Sequence, residues 1–131
     1  MTPRILAPLA LLLLGACVDE PEVSGAMLFA ENCAACHGAD AMGSGPMASG
    51  LSPQPPNLTG LAAANGGVFP RDYVMSTIDG YSRGAHTAAA MPEFGAGDMG
   101  DTVIVEGPDG LGTPVPVQLL ALADYLESVQ R

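Results

Sequence analysis

The chain has 131 residues, with four arginines and no lysine against fourteen acidic residues, for a formal net charge of −10. Phosphate backbones repel such a chain, which excludes nucleic-acid binding and favours partners that present a basic surface. Seventeen glycines, twelve prolines, no tryptophan and 5% aromatic residues imply many turns and a thin core that something besides side chains must fill.

Arg4 precedes the apolar run Ile5–Leu14, and Leu14-Gly15-Ala16-Cys17 leads into a stretch bearing Asp19, Glu20 and Glu22. A basic start, a short apolar run and small residues before a cut point read as an export signal. The run is too short for a membrane span, which takes about 20 apolar residues. Residues 14–17 also resemble the bacterial lipobox, in which the cysteine is lipidated and becomes the first residue. The expected organisation is therefore a lipoprotein-type signal peptide over 1–16, a tether over 17–23 and one domain over 24–131. Cleavage after residue 16 leaves 115 residues, with three arginines against fourteen acids and a formal charge of −11. The expected location is the periplasmic side of a bacterial membrane, anchored by lipid at Cys17, or the soluble periplasm if Cys17 stays unmodified. Val18 after the cysteine, in place of Asp, leans towards an outer membrane where sorting follows the enteric rule.

Ser24 is a good N-cap, and Gly25 to about Ala35 predicts a helix containing Met27 and Leu28. Its end carries Cys33-Ala34-Ala35-Cys36-His37, the C-x-x-C-H pattern of covalent haem attachment. Two thiols three positions apart on a helical turn can each add to one vinyl group of haem. The next residue, His37, is then held under the iron as the proximal ligand. Attachment follows export, so leader and motif support each other. A redox dithiol normally opens a helix in a strand-rich domain, and no β-rich stretch precedes Cys33. A zinc site would need a second cysteine pair, and His86 is the one other strong nitrogen ligand in the sequence. One covalent haem c is the expected cofactor.

Residues 39–56 form a long Gly-, Pro- and Ser-rich loop, of a length that compact domains reserve for serving a site. Thr59 is expected to cap a short turn over Leu61 to Ala64 that ends at Asn65-Gly66-Gly67. Pro70 in a first turn, with Asp72 beside it, starts another helix whose stripe is Tyr73, Val74, Thr77 and Ile78 and which Gly80 stops. From Tyr81 to Gly100 the chain reads as loop. Thr102–Val105 reads as a strand, Gly107–Gly110 as a turn and Leu111–Val117 as a returning edge. Val117 to Gln130 predicts a last helix with Leu119, Leu122, Ala123, Leu126 and Val129 inward.

Four stretches now combine: Gly25–Phe29 with Cys33–Gly38, Pro56-Asn57-Leu58, Met91-Pro92-Glu93-Phe94-Gly95, and Leu122–Leu126. Through them the chain from Ser24 to Gln130 resembles a small bacterial class I c-type cytochrome. The resemblance implies an all-α cytochrome c fold, with haem-centred helices and long loops, to which the residues add a small β-hairpin near 102–117. It implies that the first and last helices cross nearly perpendicularly, and Gly25 and Phe29 offer a face that matches Leu122 and Tyr125.

Candidates for the sixth iron ligand are Met27, Met42, Met47, Met75, Met91, Met99 and His86. A thioether suits ferrous iron, raises the potential and serves electron transfer. Met27 precedes the attachment site, Met75 reads as core, and Met42 and Met47 reach the far face awkwardly. Met91 sits in a loop before Pro92, which restricts it to extended backbone, and it also matches the family's ligand loop. The resemblance assigns the carbonyl that receives the His37 N–H to Pro56, with Pro53 and Pro55 as alternatives in register, and it packs Leu58 on the proximal haem face. Ile78, Phe94, Leu119 and Leu122 are expected in the remaining pocket, and Tyr73, Tyr81 or Arg83 at a propionate. Lacking Lys and Trp, the chain departs from the mitochondrial type, so no partner carries over from that branch.

The expected function is a non-enzymatic electron carrier for redox proteins with a basic docking patch, held at a membrane by its lipid anchor. The alternatives are a ligand-binding or sensory haem domain with a displaceable sixth ligand, a haem subunit of a larger oxidoreductase, and a lipid-anchored interaction module. No distal acid–base pair for peroxide chemistry is in view, since His86 is the single further histidine.

Overall fold

The computed structural model describes residues 23–81, 91–107 and 110–131. The expected signal peptide, the lipidation site Cys17, Arg83 and His86 lie outside the described residues.

Ser24 opens the first helix, α1 (Gly25–Asn32), by accepting the Met27 N–H on its hydroxyl at 3.3 Å. Cys33 interrupts the helical path, and α2 (Ala34–His37) resumes it, because Cys33 N–H donates to Phe29 O and His37 N–H to Cys33 O. The helical segment thus runs two residues past the expected end. Gly38, at φ 80°, turns the chain out of it.

The long loop that follows is tied down at several points. Gly45 N–H donates to Cys36 O and Met47 N–H to Ala35 O, so loop amides satisfy carbonyls that the end of α2 leaves open. This approach needs a glycine, since a Cβ on Gly45 would sit 2.5 Å from Ala35 O. A 3₁₀ turn spans Ala48–Gly50, and Ala41 is buried.

Thr59 does not cap the next turn. Asn57 instead caps a 3₁₀ turn over Leu58–Gly60, accepting both the Thr59 N–H at 2.9 Å and the Thr59 hydroxyl at 2.8 Å, and that turn leads into α3 (Leu61–Ala64), which follows Gly60 with no side-chain cap. Thr59 is buried, so its hydroxyl takes the nearest acceptor, while the exposed Asn57 has the free carbonyl oxygen a cap requires.

Helix α4 (Arg71–Asp79) starts one residue after Pro70 and stops at Gly80, which adopts the left-handed conformation at φ 96°. Val74 and Ile78 are buried, Thr77 is half-buried and Tyr73 is exposed, so the inward stripe is narrower than expected. The strands β1 (Thr102–Glu106) and β2 (Gly112–Pro116) pair antiparallel, Ile104 opposite Pro114, as the small hairpin expected there. Val115 turns into the core, whereas Ile104 stays on the exposed face.

The last helix, α5 (Val117–Ser128), buries Leu119, Leu122, Ala123 and Leu126; Val129 lies just beyond its end and is half-buried. It packs on α1 through a backbone contact. A Cβ on Gly25 would lie 1.9 Å from Ala121 O, and one turn along, the Phe29 and Tyr125 rings sit 5.2 Å apart at 45°. Phe29, Leu119, Leu122 and Leu126 join Val74, Ile78, Phe69, Met99 and Val115 in one core. Arg71 of α4 forms ion pairs with Asp124 and Glu127 of α5, fastening these helices at the surface. Among the described residues no helix is long and apolar enough to cross a membrane.

Candidate cofactor site

The helical turn of α2 fixes the first set of donors. Cys36 N–H and His37 N–H both donate to Cys33 O, which holds Cys33, Cys36 and His37 on one compact turn. All three border a cavity of about 310 Å³ with predominantly apolar walls. Burial, and then the nearby Cys36, push the Cys33 thiol up from the ordinary 9.0 to about 11. It is therefore held as a neutral thiol at physiological pH.

The second wall comes from the Pro-rich end of the long loop. Leu58 N–H donates to Ala41 O, and Gly43, at φ 83°, lets the Pro55 and Pro56 carbonyls come close. A Cβ there would be 2.3 Å from Pro55 O and 3.0 Å from Pro56 O. Pro53, Pro55, Pro56, Leu58 and Leu61 consequently line the cavity. Gln130, at the end of the chain, braces this wall: its side chain donates to Leu58 O at 2.8 Å and accepts the Ala62 N–H at 2.9 Å.

Met91 with Pro92 and Phe94 forms a third wall, and α4 a fourth through Tyr73, Val74, Thr77 and Ile78. Of the residues marked in the sequence, the structure thus brings Cys33, Cys36, His37, Pro56, Leu58 and Met91 to the border of one space. The competing methionines lie elsewhere. Met27, Met42 and Met47 are exposed, Met75 packs against the core and Met99 is buried within it. Tyr73 borders the cavity, whereas Tyr81 is 89% exposed.

One part of the expected pocket is corrected. Leu119 and Leu122 are buried in the core, and the α5 residue on the cavity wall is Leu126. Leu126 belongs to the same stripe one turn later; periodicity defines the stripe without saying which of its turns meets the cavity.

Residues 21–106, well over half of the chain, match the family described as cytochrome c oxidase, cbb3-type, subunit III. The chain belongs to this family. No curated protein and no solved structure was found to match it. A helical frame with one small antiparallel sheet is consistent with the cytochrome c-like fold of such a domain. The match ends at the close of β1, so β2 and α5, which complete the core, lie beyond it.

A c-type cytochrome domain implies covalently bound haem c, and the residues present fit that group. Two thiols, an imidazole and a thioether border an apolar space, and among the described residues no group of three His, Cys, Asp or Glu is arranged to hold a bare metal ion. The cytochrome domain is accordingly a haem-binding electron carrier or oxidase subunit.

Proposed function

We propose that this cytochrome carries electrons on the periplasmic side of a bacterial membrane, is not itself an enzyme, and holds one haem c. Cys33 and Cys36 would carry the two thioether bonds, and His37 and Met91 would be the axial ligands. The observation that carries this reading is that all four side chains border the same apolar cavity. When bound, the group supplies one-electron exchange at its iron.

The chain's own residues set the conditions for that exchange. Leu58, Leu61, Val74, Ile78, Phe94 and Leu126 exclude water from the site. A dry, low-dielectric wall disfavours additional charge, and a thioether ligand favours ferrous iron, so both raise the potential. Pro92 restricts the backbone freedom of Met91. In the resemblance-based assignment the Pro56 carbonyl accepts the His37 N–H, which would fix the ring's tautomer and orientation. The expected signal peptide and Cys17 would place the domain at a membrane surface. The acidic balance favours a redox partner with a basic docking patch, in an encounter that salt weakens.

The reduced spectrum of the purified exported protein, recorded before and after carbon monoxide, tests this reading. A c-type α-band that carbon monoxide leaves unmoved is the expected result. No band removes haem altogether, and a rapid shift would indicate a ligand-binding or sensory site. Met91→Ala should abolish the far-red sulfur-to-iron band and lower the midpoint potential. If neither changes, Met91 is not a ligand.

The family description favours a second reading, a haem subunit of a larger oxidoreductase. The mass of the native protein extracted in mild detergent separates a free carrier from a subunit.

A further inference from the structure

A methionine ligand is a flexible side chain making a weak bond to iron, so its backbone must be held from outside. Helix α4 ends at Asp79, and the last carbonyls of a helix have no partner within it. The Met91 loop takes two of them: Phe94 N–H donates to Ile78 O at 3.1 Å and Gly95 N–H to Asp79 O at 3.2 Å. Gly80, in its left-handed conformation, carries the chain away from this end and leaves the carbonyls open to the loop.

Helix α4 is itself well fixed. Val74 and Ile78 anchor it in the core, Arg71 pairs with Asp124 and Glu127 of α5, and Tyr73, Val74 and Thr77 border the cavity. The helix that walls the site is therefore also the one that grips the Met91 loop.

The grip depends on Gly95. A Cβ there would stand 2.1 Å from Asp79 Oδ1 and 2.5 Å from Asp79 O. Relieving the backbone contact from 2.5 Å to an ordinary 3.4 Å moves the loop by about 0.9 Å, whatever the Asp79 side chain does. Only three residues separate this point from Met91, and of these Pro92 has a fixed φ and Phe94 is itself tied to Ile78 O, so little freedom remains to absorb such a shift. Gly97, two residues on, differs: a Cβ there meets nothing nearer than Phe94 O at 3.5 Å.

We propose that the last turn of α4, docked against Gly95, positions the Met91 sulfur for the sixth coordination site, with Gly95 as a positioning residue. This rests on the reading of Met91 as a ligand. Gly95→Ala in the haem-bearing protein should lose most of the far-red sulfur band, lower the midpoint potential and admit carbon monoxide, with the thioether attachment intact. Gly97→Ala should keep the wild-type spectrum and potential. In the wild-type protein the Phe94 and Gly95 amides should exchange more than about tenfold slower than free amides.

A Gly95→Ala protein with wild-type band and potential overturns the proposal. So do unprotected Phe94 and Gly95 amides, a measurement that decides the matter even if the variant does not accumulate. Met91→Ala keeps the two readings apart. If it leaves band and potential unchanged, the ligand assignment fails; if it abolishes the band while Gly95→Ala does not, the positioning role alone fails.

Discussion

Replacing Gly25 by Ala adds one methyl group where two helix backbones touch. The new Cβ would fall 1.9 Å from Ala121 O, 2.6 Å from the Ala121 carbonyl carbon and 2.9 Å from Tyr125 Cβ. Restoring an ordinary 3.4 Å separation from the oxygen requires α1 and α5 to part by about 1.5 Å, since no side-chain rotation can move a backbone carbonyl. Overpacking of this kind costs about 1–3 kcal/mol. Parting the helices also loosens the Phe29–Tyr125 ring contact, worth about 0.5–1.5 kcal/mol beyond area burial. Alanine's better helix propensity returns at most about 1 kcal/mol. The net expectation is a loss of about 2 kcal/mol, within a span of about 0.5–4.5 kcal/mol, a large fraction of the stability of a domain this size. Guanidinium unfolding of the haem-bearing protein, followed by far-UV circular dichroism, measures it. A loss below about 0.5 kcal/mol with an unchanged denaturant slope would refute the close-contact account of the crossing.

Gln130→Ala removes three hydrogen bonds, to Leu58 O, Leu126 O and Ala62 N–H, and should cost about 1–3 kcal/mol in the same unfolding assay. Phe29→Ala empties the most deeply buried large side chain and should cost about 3–5 kcal/mol, measured in the same way. Arg71→Ala should cost no more than about 1 kcal/mol, because the pairs with Asp124 and Glu127 are partly solvated, and the deficit should shrink as salt is added. In the chain before haem attachment, Cys33 has a folded pKa raised from 9.0 to about 11. Its contribution to stability is thus complete below pH 9 and is lost as pH rises through about 11. Alkylation of Cys33 should accelerate over that window, and an apo-chain Cys33→Ser variant should lack the matching alkaline loss of stability.

What the sequence discloses is chemistry that acts over short spans. Cys33, Cys36 and His37 must share a helical turn to be useful, so their spacing is itself the signal, and the structure places them on that turn. Ser24 as a cap, Gly80 as a stop and the β-branched run Thr102–Val105 are likewise local, and each lies where its residues predict. Close approach is harder to read. Gly43, Gly45 and Gly95 each admit a carbonyl from a distant or neighbouring segment, yet in the sequence they are three among seventeen glycines. The turn over Leu61–Ala64 goes without the cap expected from Thr59, whose hydroxyl is buried and bonded to Asn57, a tertiary fact. Leu126 in place of Leu122 on the cavity wall is the same limitation along a helix, where periodicity fixes the face but not the turn that meets a partner.

The contact between Gly25 and Ala121 also joins the two ends of the domain. The thiols at 33 and 36 are present long before Met91 and Leu126, which border the same cavity from later in the chain. Joining two points almost the whole domain apart is the entropically slowest closure available to it. The last helix thus does two jobs with one stripe, closing the domain against α1 and lending Leu126 to the wall of the cavity.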